Sequence, residues 1–320
     1  MTSLALPSLD LQTPLFGVTD DMYQIVMDHF KISDRMLEDS VKLFKEWYSM
    51  QPHFPQIKLN DRTVKRNLSI NKFSVEKSKE KVESLLTARS IMPEFFAQRD
   101  PWSPEINKAL ESVDWISIPK HAPGHQRVQI LRINKENHAD YDPIAGFGIC
   151  FMIADIRHHL DIVLGDIYVC DLARLTFAQA VKVSPSTMKK VMFILQKCFG
   201  SNIKGMHILN LPPYAEFLVT IMKACMKKKV ADRVFIHKSM DDLCNALPKD
   251  VIPKDLGGDY PRTSDDLADD MRKAVRSEEW RNWYLDYENQ KTNEAKRSKE
   301  SESVDDLLGM MGTFRKLDID

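Results

Sequence analysis

The chain has 320 residues, of which 43% are hydrophobic and 28% charged, so it can bury a sizeable core and form one large domain with smaller additions. Lysine and arginine nearly balance aspartate and glutamate. The formal net charge of -1 excludes a protein that coats nucleic acid or another polyanion, so any function that needs positive charge depends on a local cluster.

The cysteines and the N-terminal residues bear on the cellular compartment. The five cysteines lack CxxC spacing and lie mostly in apolar segments, a pattern that predicts a reducing compartment. Pro7 and Asp10 interrupt the first apolar residues, and no basic region precedes them, which argues against a secretory signal. No uncharged stretch reaches the roughly 18 residues of a spanning helix. We therefore expect a cytosolic protein.

The first part of the chain, from Asp20 to about Pro93, has the apolar spacing of amphipathic helices. Ser74 provides an N-cap for the segment VEKSKEKVESLL, and Pro93 marks its end. We predict a small all-helical domain at residues 1–99. Residues 98–125 are rich in proline and have the composition of a connection rather than of core elements.

From Arg127 onward, short β-branched segments alternate with helical ones, which predicts a mostly parallel sheet with helices packed on it. This α/β domain is assigned to residues 100–262. The expected strands are RVQILRI, GDIYVCD, KGMHILN and DRVFIHK, and the expected helices are 142–160, 184–199 and 213–226. Residues 263–320 are predicted to form an amphipathic helix rich in tryptophan and tyrosine, and then a charged tail.

The helix predicted after Pro213 is apolar over most of its circumference, because its polar residues fall in one narrow stripe. A helix that packs once on a sheet needs an apolar face little wider than about 100°, so this one requires a second apolar neighbour. That neighbour is another protein segment such as the N-terminal domain, a bound apolar ligand, or a membrane surface. The helical wheel alone leaves all three open.

Three consecutive lysines, Lys227, Lys228 and Lys229, follow this helix. On a continuous helix they would spread over about 200° and could not all face one partner. They are interpreted either as a solvated C-terminal turn, favoured by the helix dipole, or as a dock for anionic lipid head groups.

Three segments carry a resemblance to a known family: GDIYVCDLARLTFAQAVKVSPSTMKKV, KGMHILNLPPYAEFLVTIMKACMKKKVADRVFIH and LPKDVIPKDLGGDY. They resemble the CRAL-TRIO lipid-binding family, most of all its α-tocopherol transfer protein-like branch, over about residues 101–262. The resemblance implies an α/β sandwich in which a mostly parallel sheet floors an apolar pocket under a helical lid, preceded by a small all-α domain. The helix after Asn210 takes the lid position, covering ligand when shut and contacting membrane when open.

The same resemblance implies a set of pocket-lining residues. Alternate strand positions face one side of a sheet, and the helix of residues 184–199 supplies a wall. Two positions on the inner face of the lid are our own inference, Phe217 and Ile221. The expected ligand-binding residues are Tyr168, Cys170, Val183, Val191, Ile194, Leu195, Phe199, Ile203, Met206, Ile208, Phe217 and Ile221.

The resemblance also implies a basic patch that binds phosphoinositide head groups. Three of the four cations of the branch have counterparts here, but its LRARxF pattern is replaced by LSINKF, with Ser69 and Asn71 at the arginine positions and Lys72 nearby. The fourth cation is therefore missing from the pattern. The expected membrane-binding residues are Lys204, Lys227, Lys228, Lys229 and Arg233.

Motifs for catalysis are absent from the sequence, which has no GxSxG, Walker loop, HExxH or CxxC. His158 and His159 close a predicted helix and are interpreted as partners of its dipole or as surface residues. Asp171 ends an apolar strand, where the family keeps an acid for structure. We expect no enzymatic activity, no cofactor and no metal.

The function implied by the resemblance is that of a monomeric cytosolic carrier. It would bind a small hydrophobic ligand, such as a tocopherol, a retinoid, a carotenoid or a similar lipid, and deliver it at anionic membranes, without a nucleic-acid partner. The alternatives are a phospholipid or phosphoinositide exchange protein, or a ligand-free interaction module whose interior is filled by side chains.

Overall fold

A five-stranded sheet forms the centre of the protein. The computed structural model describes residues 15–134, 139, 141–200 and 202–298. The strands are Val113–Ser117 (β1), Gln126–Ile133 (β2), Gly165–Asp171 (β3), Ile203–Leu209 (β4) and Val234–His237 (β5). They pair in sequence order, with β1 antiparallel to β2 and the other pairs parallel. The predicted α/β class with a mostly parallel sheet is confirmed.

Helices precede the sheet, connect its strands and follow it. Those before the sheet are α1 Asp20–His29, α2 Asp34–Ser49, α3 Asp61–Ile70, α4 Val75–Ile91, α5 Pro93–Phe96 and α6 Pro104–Ser112. Those between the strands are α7 Pro143–Leu160, α8 Phe177–Ala180, α9 Pro185–Phe193, α10 Glu216–Ala224 and α11 Lys228–Ala231. Those after the last strand are α12 Met240–Ala246, α13 Ser264–Arg276 and α14 Glu278–Leu285.

The prediction of a connection at residues 98–125 was wrong for much of this range. One proline of this range belongs to a helix rather than a linker, since Pro104 is the first residue of α6 behind the N-cap Ser103. The next segment is β1, which is buried along its whole length and adds an antiparallel edge to the sheet. Trp115 Nε1 and Ser117 Oγ of β1 both donate hydrogen bonds to Gln129 Oε1 of β2.

Two of the predicted helices are interrupted. The helix expected at residues 184–199 is α9 followed by a π-helical turn over Ile194–Cys198. The helix expected at residues 213–226 begins as a 3₁₀ turn and ends at Ala224, and Lys227 then takes an extended conformation as the N-cap of α11. The three lysines therefore do not continue one helix.

The two faces of the sheet bury separate apolar clusters, as the period of two along a strand requires. Ile167 and Val169 of β3 face a cluster completed by α12 and one side of α13. Tyr168 faces the opposite cluster, which includes α7 and α10, and Cys170 packs against that cluster.

The C-terminal helices pack closely on the sheet and on α7. Met271 and Val275 of α13 lie in the core beside β1, and Trp280 and Tyr284 of α14 are almost fully buried. The Tyr284 hydroxyl donates to the Met152 carbonyl at 3.0 Å. The predicted charged tail from residue 299 onward lies outside the described residues.

A buried ion network joins the N-terminal helices to the sheet. The Asp161 carboxylate accepts hydrogen bonds from Arg127 Nη2 at 2.6 Å and from Arg157 Nη2 at 3.1 Å. Arg157 also donates to Asp166 at 2.5 Å. Arg66 of α3 donates to the Asp161 carbonyl at 2.7 Å. Asp161 therefore links α3, β2 and α7.

We expect Asp161→Asn to lower the free energy of unfolding by about 3–5 kcal/mol, because it leaves buried guanidinium groups without their counter-charge. Urea denaturation at pH 7 would measure the loss. Asp265→Asn is the matched control, since Asp265 pairs with Arg132 but its side chain is 67% exposed, and it should cost less than about 1 kcal/mol. Equal losses in the two variants would contradict the structural role of Asp161.

The network also predicts a pH dependence. Burial would raise the pKa of the Asp161 carboxyl, but Arg127 and Arg157 lower it to about 2. A carboxyl with a depressed pKa contributes stability above its ordinary value near 4, and this contribution is lost as the pH falls toward 2. In denaturation curves between pH 5 and pH 2, Asp161→Asn should therefore lose less stability than the unsubstituted protein.

Candidate functional site

An apolar cavity of about 180 Å³ lies between the sheet and helices α7, α9 and α10. It lies toward the carboxyl ends of β3 and β4, where open α/β sheets bind ligands. Its walls are formed by Val113, Leu131, Arg132, Ile133, Tyr141, Pro143, Phe147, Cys150, Cys170, Asp171, Leu172, Leu175, Val183, Met188, Ile208, Leu218, Val219 and Met222.

Helix α10 covers this cavity with one of its two apolar faces. Leu218, Val219 and Met222 line the cavity, and Leu218 and Val219 are buried. Phe217, on the other apolar face, is 38% exposed. The excess apolar surface seen in the sequence is therefore divided between the cavity and the outside of the protein.

The polar groups in the cavity wall are mostly engaged by protein. Arg132 donates to Asp114 and Ser264, at 2.7 and 2.8 Å. Asp171 accepts from the Asn210 side chain at 2.9 Å and from the Ala173 amide at 3.0 Å, which joins the ends of β3 and β4. The cavity therefore has a predominantly apolar wall with few groups left to orient a ligand.

Three of the residues predicted to bind ligand line this cavity: Cys170, Val183 and Ile208. Three others, Tyr168, Leu195 and Phe199, line a smaller cavity of about 60 Å³ between the sheet and the N-terminal helices. The predicted ligand-binding residues are thus divided between two cavities.

The remaining predicted residues lie in the surrounding core or at the surface. Val191 and Ile194 are buried in a cluster with Phe151, and Ile203 and Met206 are buried beside Tyr168. Ile221 is partly buried and packs against the same core. Phe217 does not line the cavity, because its inner neighbours Leu218 and Val219 occupy that position.

Sequence reasoning missed the contributions of α7 and β2. Phe147 and Cys150 are three residues apart and share a helix face, while Leu131 and Ile133 obey the strand period. The spacing was visible, but α7 is apolar around most of its circumference, so its sequence does not distinguish the cavity side from the core side.

A cluster of cations lies beside the smaller cavity. Lys204, Lys229 and Arg233 were expected together, and the structure adds Lys72 at the end of α3. Partial burial lowers the pKa of Lys204, and the charges of Arg233, Lys72 and Lys229 lower it further. These three cations therefore lie within electrostatic reach of Lys204. The cation that is missing at Ser69 is thus supplied by Lys72, three residues further along the chain.

The position of Lys72 follows from its backbone. Lys72 has a φ of 58°, in the left-handed region, so the chain reverses direction directly after α3. Gly165 allows the stem of Lys204 to cross β3, since a Cβ at that position would lie 2.6 Å from Lys204 Cγ and Cε. The other two lysines of this region, Lys227 and Lys228, are both exposed, and Lys228 is paired with Asp232 at 3.2 Å.

Other candidate chemistry is limited. All five cysteines are free. Among residues 15–134, 139, 141–200 and 202–298, no group of three or more histidine, cysteine or acidic side chains is placed to hold a metal ion. Across the same described part of the chain, none of the helices is both long and apolar enough to cross a membrane.

The sheet, its apolar cavity and the covering helix define a class of α/β protein with an apolar site between a helix and a sheet. Comparisons with known proteins specify the family. Residues 116–258 match the family described as CRAL/TRIO domain, and residues 33–106 match the one described as Pinta-like, UBA domain. Residues 116–258 are therefore a CRAL/TRIO domain, as the resemblance implied.

Similar proteins include the alpha-tocopherol transfer protein-like protein of Mus musculus, 23% identical over 80% of this chain and 75% of that protein. The Homo sapiens counterpart is 26% identical over 62% of this chain, which spans 59% of its length. Clavesin-1 of Xenopus laevis is 33% identical over 30% of each chain. The crystal structure of Sfh5 aligns with 85% of this chain and 98% of its own, at 12% identity and a TM-score of 0.46.

The cavity thiols give a test of how well the site is enclosed. Burial raises the pKa of Cys170 to about 12, so about one thiol in ten thousand is ionised at pH 8. We expect iodoacetamide to alkylate Cys170 at least ten times more slowly than Cys244. Peptide mass spectrometry at successive times would measure the two rates. Cys244→Ser serves as the control that assigns the fast phase. Equal rates at Cys170 and Cys244 would show that solvent reaches the cavity freely.

Proposed function

We propose that this protein is a carrier that binds a small hydrophobic ligand in the cavity under α10 and releases it at anionic membranes. The CRAL/TRIO domain and the similarity to tocopherol transfer protein-like relatives support a lipid-binding transfer protein in general. The observation that carries the proposal is the apolar cavity, covered by Leu218, Val219 and Met222 of one helix.

The energetics of such binding are favourable without a strong polar anchor. Removing about 400 Å² of apolar ligand surface from water is worth on the order of 10 kcal/mol before the entropy of binding is subtracted. A mostly apolar wall selects ligands by shape. Its volume of about 180 Å³ is close to the roughly 150 Å³ that holds a benzene ring, so a tocopherol, a retinoid, a carotenoid or a similar lipid would enter only with an outward movement of α10. An interaction module with a filled interior is disfavoured by the same cavity.

Release at a membrane is supported by the outer surface around α10. Phe177, Val181, Tyr214 and Phe217 are all exposed large apolar side chains, and the Phe177 and Tyr214 rings meet edge to face at 6.0 Å. Exposed apolar groups of this kind mark sites of membrane or protein contact. Their insertion between lipids would draw α10 outward and open the cavity.

The cation cluster supports recognition of an anionic head group. Lys72, Lys204 and Lys229 are exposed and have no acidic partner among the described residues, so their charge is available to a phosphate. Four cations from the N-terminal helices and the sheet domain favour a multiply charged head group, such as that of a phosphoinositide. The same observation supports phosphoinositide exchange as the second candidate function.

We expect Val219→Trp to reduce ligand binding at least ten-fold, because the indole would occupy the cavity. Thr220→Trp is the matched control, since Thr220 is the next residue of α10, is exposed and does not line the cavity. Fluorescence titration with α-tocopherol, retinal and phosphatidylcholine would measure binding, together with mass spectrometry of the lipids that copurify. If both variants bind every probe as the unsubstituted protein does, the cavity is not the ligand site.

A second prediction concerns the membrane. Lys72→Gln, Lys204→Gln and Lys229→Gln together should weaken binding to phosphatidylcholine vesicles that contain phosphatidylinositol bisphosphate by about 100-fold, since each lysine contributes roughly 1 kcal/mol. Ligand affinity in solution should stay unchanged. The control with the same net charge replaces Lys42, Lys120 and Lys273, which are paired with acids elsewhere. An equal effect of the two sets in sedimentation assays would reject a localised docking site.

A further inference from the structure

An exposed row of large apolar side chains runs along α2, in the N-terminal helices. Met36, Leu43 and Met50 are 51%, 55% and 69% exposed and follow one another at intervals of seven residues. Seven residues make nearly two turns of helix, so the three side chains lie along one line about 21 Å long. The half-buried Trp47 joins the row between Leu43 and Met50. The proposed carrier function does not use this row.

The row is separate from the face of α2 that packs in the core. The core face packs against α3 and α4 and consists of Leu37, Val41, Phe44 and Tyr48. Within the row, Ser40 lies between Met36 and Leu43, and its hydroxyl donates to the Met36 carbonyl at 2.7 Å. Because this hydroxyl is bonded within the helix, Ser40 can face an apolar partner. The row is therefore a second apolar face, with the spacing by which one helix packs on another.

The last described residues lie beside the C-terminal end of α2. The backbone N–H of Asn293 donates to the His53 carbonyl at 2.8 Å, and His53 is three residues beyond Met50. Arg297 then donates to the Thr87 hydroxyl of α4 at 2.7 Å, and α4 packs against α2. The chain therefore leaves the described part of the structure near the C-terminal end of the exposed row.

The sequence that continues from this point, residues 299–320, complements the row. Its apolar residues recur at intervals of three and four, as on one helix face, at Val304, Leu307, Leu308, Met311 and Phe314. Eleven residues of chain between Asn293 and Val304 can span about 36 Å, so this segment can reach the row. A helix over residues 304–314 would be about 15 Å long, shorter than the row, and a helix of this length is marginal in water without a surface to pack on.

Charge determines the direction in which the segment fits. The first turns of α2 have more acidic than basic side chains, all of them exposed: Asp34, Glu38 and Asp39 against Arg35. Two cations, Arg315 and Lys316, directly follow the apolar residues of the segment. A segment that enters at the C-terminal end of α2 and runs antiparallel to it brings these cations to the acidic end of the helix, where opposite charges favour this register.

We propose that residues 304–314 pack along the exposed row of α2, antiparallel to it, with Phe314 toward Met36. The N-terminal residues are a less suitable occupant, because the described chain begins at Leu15, which is buried beside the sheet with Val113. Helix α2 does not line the cavity under α10, so this docking does not depend on the proposed carrier function.

Hydrogen–deuterium exchange of the full-length protein, measured by mass spectrometry of its peptides, tests the proposal. The amides of residues 304–314 should exchange at least about ten-fold more slowly than those of an unstructured chain of the same sequence. Leu43→Asp places a charge in the row and should remove this protection. Lys42→Asp is the matched control and should keep the protection, since Lys42 is the preceding residue of α2, is exposed and points away from the row.

A reciprocal measurement keeps the test valid if Leu43→Asp does not fold by circular dichroism. Met311→Asp in the segment should raise the rate at which hydrogen peroxide oxidises Met50 by about three-fold or more, because the thioether becomes accessible. Thr313→Asp, on the opposite side of the helical spacing, should leave this rate unchanged.

Three results would overturn the proposal. They are the absence of protection at residues 304–314, protection that persists in Leu43→Asp, and an equal rate of Met50 oxidation in Met311→Asp and Thr313→Asp. Protection that increases with protein concentration would also overturn it, in favour of docking between two copies of the chain.

Discussion

The arrangement of the whole molecule depends on one buried carboxylate, that of Asp161. Arg127 from β2 and Arg157 from α7 converge on its oxygens, and Arg66 from α3 binds its carbonyl. Arg127, which is fully buried, also donates to the Phe16 carbonyl at 2.6 Å. A buried charge network of this kind is costly to break, because each lost partner leaves an uncompensated ion. It therefore fixes the N-terminal helices against the start of the parallel strands.

The opposite end of the sheet is built differently. At the carboxyl ends of β3 and β4 the contacts are mostly apolar, and α10 is held by few polar links, among them Gln196 Nε2 to the Cys225 carbonyl at 3.2 Å. Apolar contacts are non-directional, so a helix held by them can shift without leaving buried ions unpaired. The buried network of Asp161 thus lies at one end of the parallel strands, and the proposed ligand site under α10 lies at the other.

The sequence predicted the parallel strands and the cavity-covering helix, because strand periodicity and an oversized apolar arc are local properties. It missed β1 and α6, because a proline-rich segment is typical of a linker, whereas Pro104 begins a helix that leads directly into a strand. It also placed Phe217 rather than Leu218 toward the cavity. Both lie on apolar arcs, and only packing against Val183 and Ile208 decides which arc faces inward.

The charge cluster shows a limit of a different kind. Lys204 and Arg233 could be aligned with a family pattern, but the contribution of Lys72 depends on a left-handed backbone turn and on the docking of α3. The hydrogen bond from Arg89 Nη1 to the Gln290 carbonyl is equally beyond sequence reasoning, because it joins residues 201 positions apart. Such contacts are decided by tertiary structure rather than by local preference.

Lys72 belongs to the N-terminal helices, whereas Lys204, Lys229 and Arg233 belong to the sheet domain. The four cations consequently lie together only while the N-terminal helices stay packed against the sheet domain. Any event that loosens their junction would separate the charges and weaken the proposed adhesion to an anionic bilayer, without any change in the four cations themselves. The proposed attachment to the membrane would in this way report on the integrity of the folded chain.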